Sequence, residues 1–233
     1  MPSLTPDSSD IISLFQRLKS LSNGEAFWPP VGIVGSMVAA IVAQNSLPAQ
    51  VFPVMERLQN RGWLEPRTLH QVSQGRLKEQ LQGVSCTNQK SSRIKRLMEF
   101  LLEERLALYS LLSQPVERIR QQLLAIRGIG EETADTILLF AFDKPVFIVD
   151  SYSRRFFARF QFPWMQKASY TEVRGFFQAN FPPDPAAIRK LHALVHHQAR
   201  NVCKPRPQCS ACAFRLSCVH ALGQMNVEEK TCI

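Results

Sequence analysis

No stretch of this 233-residue chain is apolar for long enough to cross a bilayer; the longest, around Val31 to Val42, is far short of the ~20 residues a spanning helix needs. The opening residues MPSLTPDSSD contain neither a basic cluster nor a hydrophobic core, so nothing there reads as a secretion signal. Both absences lead to the expectation of a cytoplasmic protein with no membrane partner. Internal repeats and low-complexity tracts are missing too. No segment alternates apolar and polar residues as a half-buried strand would. The one apolar run of strand length, Pro145-Val146-Phe147-Ile148-Val149, is short and isolated, and is expected to be a buried extended connector.

Acidic residues are the scarcer charge, 19 against 28 Lys plus Arg, which gives a net charge of +9 and a pI near 9.6. Such a balance favours a polyanionic partner such as nucleic acid, although a solvated basic surface would produce it equally well. With 45% hydrophobic and 20% charged residues the chain can bury one substantial core or two modest lobes.

Four of the six cysteines, Cys203, Cys209, Cys212 and Cys218, lie within sixteen residues, with gaps of five, two and five. A disulfide framework does not suit a chain of this size without a secretion signal, so the cluster reads as a metal centre. Zinc and a [4Fe–4S] cluster both accept four thiolates, and spacing alone does not choose between them. Cys86 in a loop and Cys232 in the polar tail, residues 224 to 233, read as bystanders.

Apolar residues recur at helical spacing through Ile11-Ile12-Leu14-Phe15-Leu18, Val31 to Val42, Ile94-Leu97-Met98-Leu101-Leu102 and Ile137-Leu138-Phe140. Helix starts are expected at Asp7-Ser8-Ser9, at Ser113-Gln114-Pro115-Val116-Glu117 with the proline in the first turn, and near Ala186 after Pro182-Pro183-Asp184-Pro185. The expected fold class is all-α, about ten helices on short loops.

The segment from Leu123 to Leu138 reads as helix, tight hairpin, helix. Gly128 and Gly130 can take positive φ and bare the backbone, so that N–H groups at the second helix's start approach a phosphate oxygen. Taken alone, Gly-Ile-Gly fits an ordinary helix–helix turn equally well. Asp150, which follows the apolar run, suits two compatible roles. It can cap a helix beginning at Ser151, and a carboxylate in a dry cleft can stabilise a developing positive charge.

Ile126-Arg127-Gly128-Ile129-Gly130-Glu131-Glu132-Thr133-Ala134, followed by Ile148-Val149-Asp150-Ser151-Tyr152, resembles the hairpin and the catalytic Asp segment of the endonuclease III-like helix-hairpin-helix (HhH-GPD) DNA glycosylases. The five-residue first gap of the cysteine loop places it nearest the 3-methyladenine DNA glycosylase III-like members. The resemblance spans roughly residues 25 to 220. It implies a two-lobed fold, with a helical barrel over 30–142 that ends in the hairpin, and a second lobe of 1–29 and 143–233 that holds a [4Fe–4S] cluster in the loop 203–218. It places the active cleft between the lobes and Asp150 as the catalytic residue. Bifunctional members carry a lysine nucleophile where this chain has Glu132, so the resemblance implies a monofunctional glycosylase. Damaged double-stranded DNA is then the partner, the protein is a nucleoid-associated monomer, and alkylated purines such as 3-methyladenine are the substrates. A glycosylase or glycosylase/lyase for deaminated or oxidised bases is the alternative, and a non-catalytic DNA-binding protein on the same scaffold a further one.

The resemblance also marks DNA-contact positions. Gln44, in Ala43-Gln44-Asn45-Ser46, corresponds to the glutamine that enters the hole left by a flipped nucleotide; a polar helix C-terminus is the plainer reading. Asn88 and Lys90 belong to the segment Gly83 to Lys90, where Cys86-Thr87 replace the relatives' aromatic wedge. Lys90, Arg93, Lys95 and Arg96 form a basic run that faces DNA or water. Phe27 and Trp28 align with the aromatic pair at the base pocket, Glu132 with its edge; core packing is the competing role for the two rings. Arg154 and Arg155 read as DNA-backbone contacts or a solvated face, and Lys204, Arg206 and Arg215 as phosphate contacts. His192, His196 and His197 read as helix-surface or core residues rather than metal ligands.

Overall fold

The structure, a computed structural model, describes residues 8–21, 27–103, 108, 111 and 113–224. Helices dominate, and no strand occurs among the described residues, in keeping with the all-α expectation. They fall into two compact units, one within Ala26–Val146 and one drawn from Met1–Glu25 and Phe147–Ile233.

The first unit is built around α2 (Gly32–Ala43), whose residues from Val34 to Val42 are all buried. Its sequence GIVGSMVAAIVA has no polar face, and a helix that is apolar all round must be enclosed on every side. With α1 (Ser8–Leu21) in the other unit, the helices that enclose it are α3 (Pro48–Asn60), α6 (Thr87–Glu103) and α8 (Glu131–Phe140). The short helices α4 (Pro66–Gln71) and α5 (Gln74–Gln80, capped by Ser73) pack on α6, and α7 (Val116–Ala125) pairs with α8. Pro115 does mark the start of α7, but as its N-cap at φ −57° and ψ 142° rather than in the first turn. Its extended ψ keeps it just outside the helix.

The segment Pro145 to Val149 forms no strand and leads into the second unit, with Val146 to Val149 buried, as expected for a connector. There α9 (Ser151–Phe160) packs against α11 (Pro185–Asn201), which also carries α1. A 3₁₀ turn (Pro163–Gln166) and α10 (Tyr170–Asn180), opened by a Ser169/Glu172 capping box, complete the layer. Asp184 caps α11 through the Ala186 N–H at 2.9 Å, at the start expected from the proline cluster. Aromatic rings fill this core. Phe147 stacks on Phe177 at 3.6 Å between centroids, Phe157 meets Phe177 edge-on at 4.7 Å, and Phe15 of α1 reaches Phe181 at 5.3 Å. Of the proposed cap Asp7-Ser8-Ser9, Asp7 lies outside the described residues.

Candidate functional site

Asp150 sits at the end of the buried connector and caps α9, with only 8% of its surface exposed. Its Oδ1 accepts the Ser153 N–H at 2.7 Å, and its own N–H donates to Ser153 Oγ at 3.0 Å. Oδ2 is hydrogen-bonded to His196 Nε2, and His192 Nε2 lies 3.8 Å from the same oxygen. Burial pushes the carboxyl's pKa up, but the His196 hydrogen bond and charge, His192 and the Ser153 N–H outweigh it and hold Asp150 far below the ordinary carboxylate range. His192 is pushed down to about 3, first by burial and then by His196, against the pull of Asp150. The imidazoles of His192 and His196 stand 4.5 Å apart, one turn apart on α11, and Tyr152 packs on His196 at 4.6 Å.

Composition and motif did not single out these histidines as partners of Asp150. The available signal was His-x-x-x-His on an amphipathic helix, which puts two imidazoles on one face. What that face would meet depended on the packing of α9 on α11.

In the hairpin, Gly128 has φ +98°, and a Cβ there would lie 2.7 Å from the Arg93 side chain. Gly130 departs from expectation: its φ is −96°, ordinary extended backbone, and it serves as the N-cap of α8. Gly130 makes no side-chain cap there, and the helix start carries the partial positive charge of an N-terminus. Exposed Glu132 stands in the same turn. Arg120 binds buried Asp135 at 2.9 Å and Glu131 at 3.2 Å, which ties α7 to α8.

Gln44 belongs to the hairpin's support. Its Nε2 donates to Thr133 Oγ1 at 2.7 Å and lies 3.4 Å from the Gly128 carbonyl, while Oε1 accepts from Arg93. Both ends of the amide are therefore engaged inside the protein, and reaching an orphaned base would require breaking these bonds. The basic run also turns inward. Lys90 is 1% exposed and donates to Ser46 Oγ at 2.7 Å, so it contacts neither DNA nor water, contrary to expectation. Burial lowers its pKa to about 8. Lys95 donates to the Leu69 carbonyl at 2.8 Å and Arg96 to that of Arg127 at 3.2 Å. Asn88 is exposed near the start of α6, and Cys86, also exposed, precedes that helix at φ +54°.

Trp28 stacks on Phe140 at 4.2 Å, with Phe27 at 6.3 Å from the same ring, and Trp28 packs against the core of its unit. The core-packing role is thus realised for Trp28. Arg154 and Arg155 are corrected as well. Arg154 donates to the Met165 and Ala168 carbonyls, both at 2.6 Å, and Arg155 to those of Ala199 at 2.9 Å and Cys203 at 3.0 Å. Both side chains are half-buried and bonded to carbonyls of their own unit.

The four clustered cysteines, with Phe156, Phe160 and Phe214, line one small, partly open pocket. Arg159 ties the loop down through the carbonyls of Lys204 at 2.6 Å and Pro205 at 2.8 Å. Gln198 Nε2 lies 3.4 Å from Cys212 Sγ, and Arg159 Nη1 3.7 Å from Cys203 Sγ. Burial, then the neighbouring cysteines, push the Cys209 thiol up; burial also raises Cys212, against the Phe214 N–H. Four thiols around one apolar cup, with N–H groups near Cys203 and Cys212, are a donor set that a thiolate-ligated centre would use.

The sequence model of the HhH-GPD superfamily of base excision DNA repair proteins matches residues 38–183. A Methanocaldococcus jannaschii protein provisionally named a DNA repair glycosylase is 28% identical over 211 residues, which cover 90% of this chain and 96% of the relative. Endonuclease III of Sulfolobus acidocaldarius is 26% identical over 195 residues, covering 83% and 84%. Among solved structures, an endonuclease III trapped as a covalent intermediate with DNA superposes with a TM-score of 0.77 at 21% identity, covering 94% of this chain and 98% of that one. The H. pylori 3-methyladenine DNA glycosylase bound to 1,N6-ethenoadenine gives 0.69 at 22% identity, covering 83% and 97%.

Proposed function

The chain belongs to the HhH-GPD superfamily of base excision DNA repair proteins, and on that footing we propose that it is a monofunctional DNA glycosylase that removes alkylated purines from duplex DNA. The observation that carries this reading is Asp150, a buried carboxylate held ionised by Ser153, His196 and His192. As the N-glycosidic bond breaks, its electron pair leaves with the base and positive charge develops on the deoxyribose, where a fixed negative charge is most stabilising. Water then adds to C1′ and its proton passes to solvent. A carboxylate so reluctant to bind a proton cannot donate one to the departing base. Purines alkylated on a ring nitrogen carry their positive charge already and leave neutral, so they fit this site best.

Glu132 supports the absence of lyase chemistry, since a carboxylate forms no imine with the sugar. The start of α8 is the proposed phosphate grip, with Asn88 as a further DNA contact and Phe27 as a platform for the extruded base. We assign a [4Fe–4S] cluster to Cys203, Cys209, Cys212 and Cys218; its contribution is to cross-link the loop and so present Lys204, Arg206 and Arg215 to phosphates. The test is a set of duplexes, each with one defined lesion, assayed for free base. Release of 3-methyladenine or 7-methylguanine in preference to uracil and 8-oxoguanine is expected; the opposite preference would overturn the substrate assignment.

A further inference from the structure

We propose that Asp150, His192 and His196 form a binding site for a divalent transition-metal ion, with zinc as its best fit, and that an ion held there switches base release off. The site stands on its own geometry; the effect on base release rests on the function above. Sequence alone left both histidines as core or surface residues, and the packing of α9 on α11 gives them a shared third partner.

His192 and His196 are four positions apart on α11, the spacing that puts two imidazoles on one helix face. Both direct Nε2 at the same atom. His192 Nε2 lies 3.8 Å from Asp150 Oδ2, His196 Nε2 is hydrogen-bonded to it, and the ligand atoms of the three residues all lie within 4.8 Å of one another. Zinc bonds of about 2.0–2.2 Å set tetrahedral donors roughly 3.4 Å apart, so the triangle needs little change on binding. His192 already stands close to that spacing, and the His196 ring draws back as its hydrogen bond gives way to coordination. The carboxylate itself need not move. Its other oxygen, Oδ1, accepts the Ser153 N–H at 2.7 Å, the kind of outer contact that keeps a ligating carboxylate aimed at its ion. Tyr152 braces the His196 ring from the side, at 4.6 Å between centroids.

Donor chemistry selects the ion. Two imidazoles and one carboxylate suit zinc and its first-row neighbours, whereas calcium and magnesium take oxygen donors. Three protein ligands leave a fourth position for water, the open pattern rather than the closed one of structural zinc. With two neutral imidazoles and one carboxylate, a divalent ion makes the cluster net positive where the bare carboxylate was negative. Positive charge developing on the sugar is then opposed instead of stabilised. The rival is a plain hydrogen-bonded cluster with no affinity for metal.

The experiment uses full-length protein as purified, washed with chelator, its iron and zinc counted, and then titrated with zinc chloride in competition with a chromogenic chelator. About one added zinc per chain should bind to the wild type. His192→Asn and His196→Gln, each checked by thermal melting and iron content, should both bind it about tenfold or more weakly, because each removes one of three ligands. Nitrogen-15 spectra of histidine-labelled wild type should show two imidazoles changing at Nε2 as zinc is added. Single-turnover base release, from a duplex that the lesion screen has identified, should fall by about 100-fold at saturating zinc, recover with EDTA, and leave DNA binding unchanged. His192→Asn, compared with its own zinc-free rate, should need about tenfold more zinc for the same inhibition. No zinc uptake, uptake that survives in both variants because it belongs to the cysteine loop, or a zinc-loaded protein that releases base at or above its zinc-free rate overturns the proposal. Should no lesion be released, the functional reading fails on its own, and zinc uptake with the histidine spectra still decides the site.

Discussion

Arg120 grips Asp135 with two nitrogens, Nε at 2.9 Å from Oδ1 and Nη2 at 3.3 Å from Oδ2, and this forked pair joins α7 to α8 just beneath the hairpin. Asp135 is fully buried and Arg120 nearly so. Removing one partner of such a pair leaves an uncompensated buried charge. Asp135→Ala should therefore cost about 3 kcal/mol, a fall of roughly 6–12 °C in Tm by thermal melting. Glu131→Gln removes only the exposed arm of the network and should cost less than about 1 kcal/mol.

Gly128 and Gly130 should separate backbone strain from DNA contact. Gly128→Val meets both a positive φ and the Arg93 side chain, so it should lower stability as well as DNA affinity. At Gly130 the φ is ordinary and nothing lies within 4 Å of a new Cβ, so Gly130→Ala should melt near the wild type. If the phosphate approaches there, its affinity for undamaged duplex should nevertheless fall, with the salt slope reduced by about 0.9 for each phosphate no longer held. Unchanged affinity would show that the phosphate sits elsewhere.

Asp150→Asn keeps the shape of the cap and can still accept from Ser153, but it removes the charge. Base release should fall by roughly 100-fold or more, about 3 kcal/mol, with DNA binding intact in a filter or fluorescence assay. Wild-type product should be an intact abasic strand that breaks only after alkali or heat, and borohydride should trap little protein on DNA. Efficient trapping would point to a lysine nucleophile and sink the monofunctional assignment. Lys144, which is half-buried rather than enclosed, would then be the first to replace.

Acid should destabilise the second unit by way of His192. Its folded pKa, about 3, lies below the ordinary imidazole value, so the unfolded chain binds a proton first as pH falls. The stability from keeping it neutral is complete above about pH 6.5 and is lost by up to about 1.4 kcal/mol per pH unit on the way down to about 3. Asp150, lowered in its folded state, adds a loss that sets in below the unfolded carboxyl range. Denaturant melts at several pH values should show this decline, and His192→Gln should flatten its upper part.

Purified protein should be yellow-brown, with absorption near ~400 nm and about four irons per chain. Cys212→Ser should bleach it and loosen the loop. A colourless wild-type protein, fully folded and loaded with zinc, would overturn the cluster assignment.

Local patterning made much of this protein legible. The apolar run of α2, the proline and aspartate before α11, the buried connector Pro145 to Val149 and the glycine hairpin could all be read in order along the chain, because each depends on neighbours a few residues away. Asp150 was legible for the same reason: a cap residue follows an apolar run. The directions of long side chains were not. Lys90, Lys95, Arg96, Arg154 and Arg155 looked like a basic face, yet each finds a carbonyl or hydroxyl of its own unit, because partners such as Ser46, Leu69 and Ala199 stand far away in sequence.

By itself, then, the amino-acid order determined the helices, the hairpin, the cysteine loop and the carboxylate at position 150. Tertiary structure alone decided what surrounds that carboxylate. His196 reaches Asp150 across 46 positions of sequence, and only the packing of α9 on α11 brings the two imidazoles to it. Burial and charge act over a few ångströms of space, not along the chain, so the ionisation of Asp150 and His192 is a property of the fold.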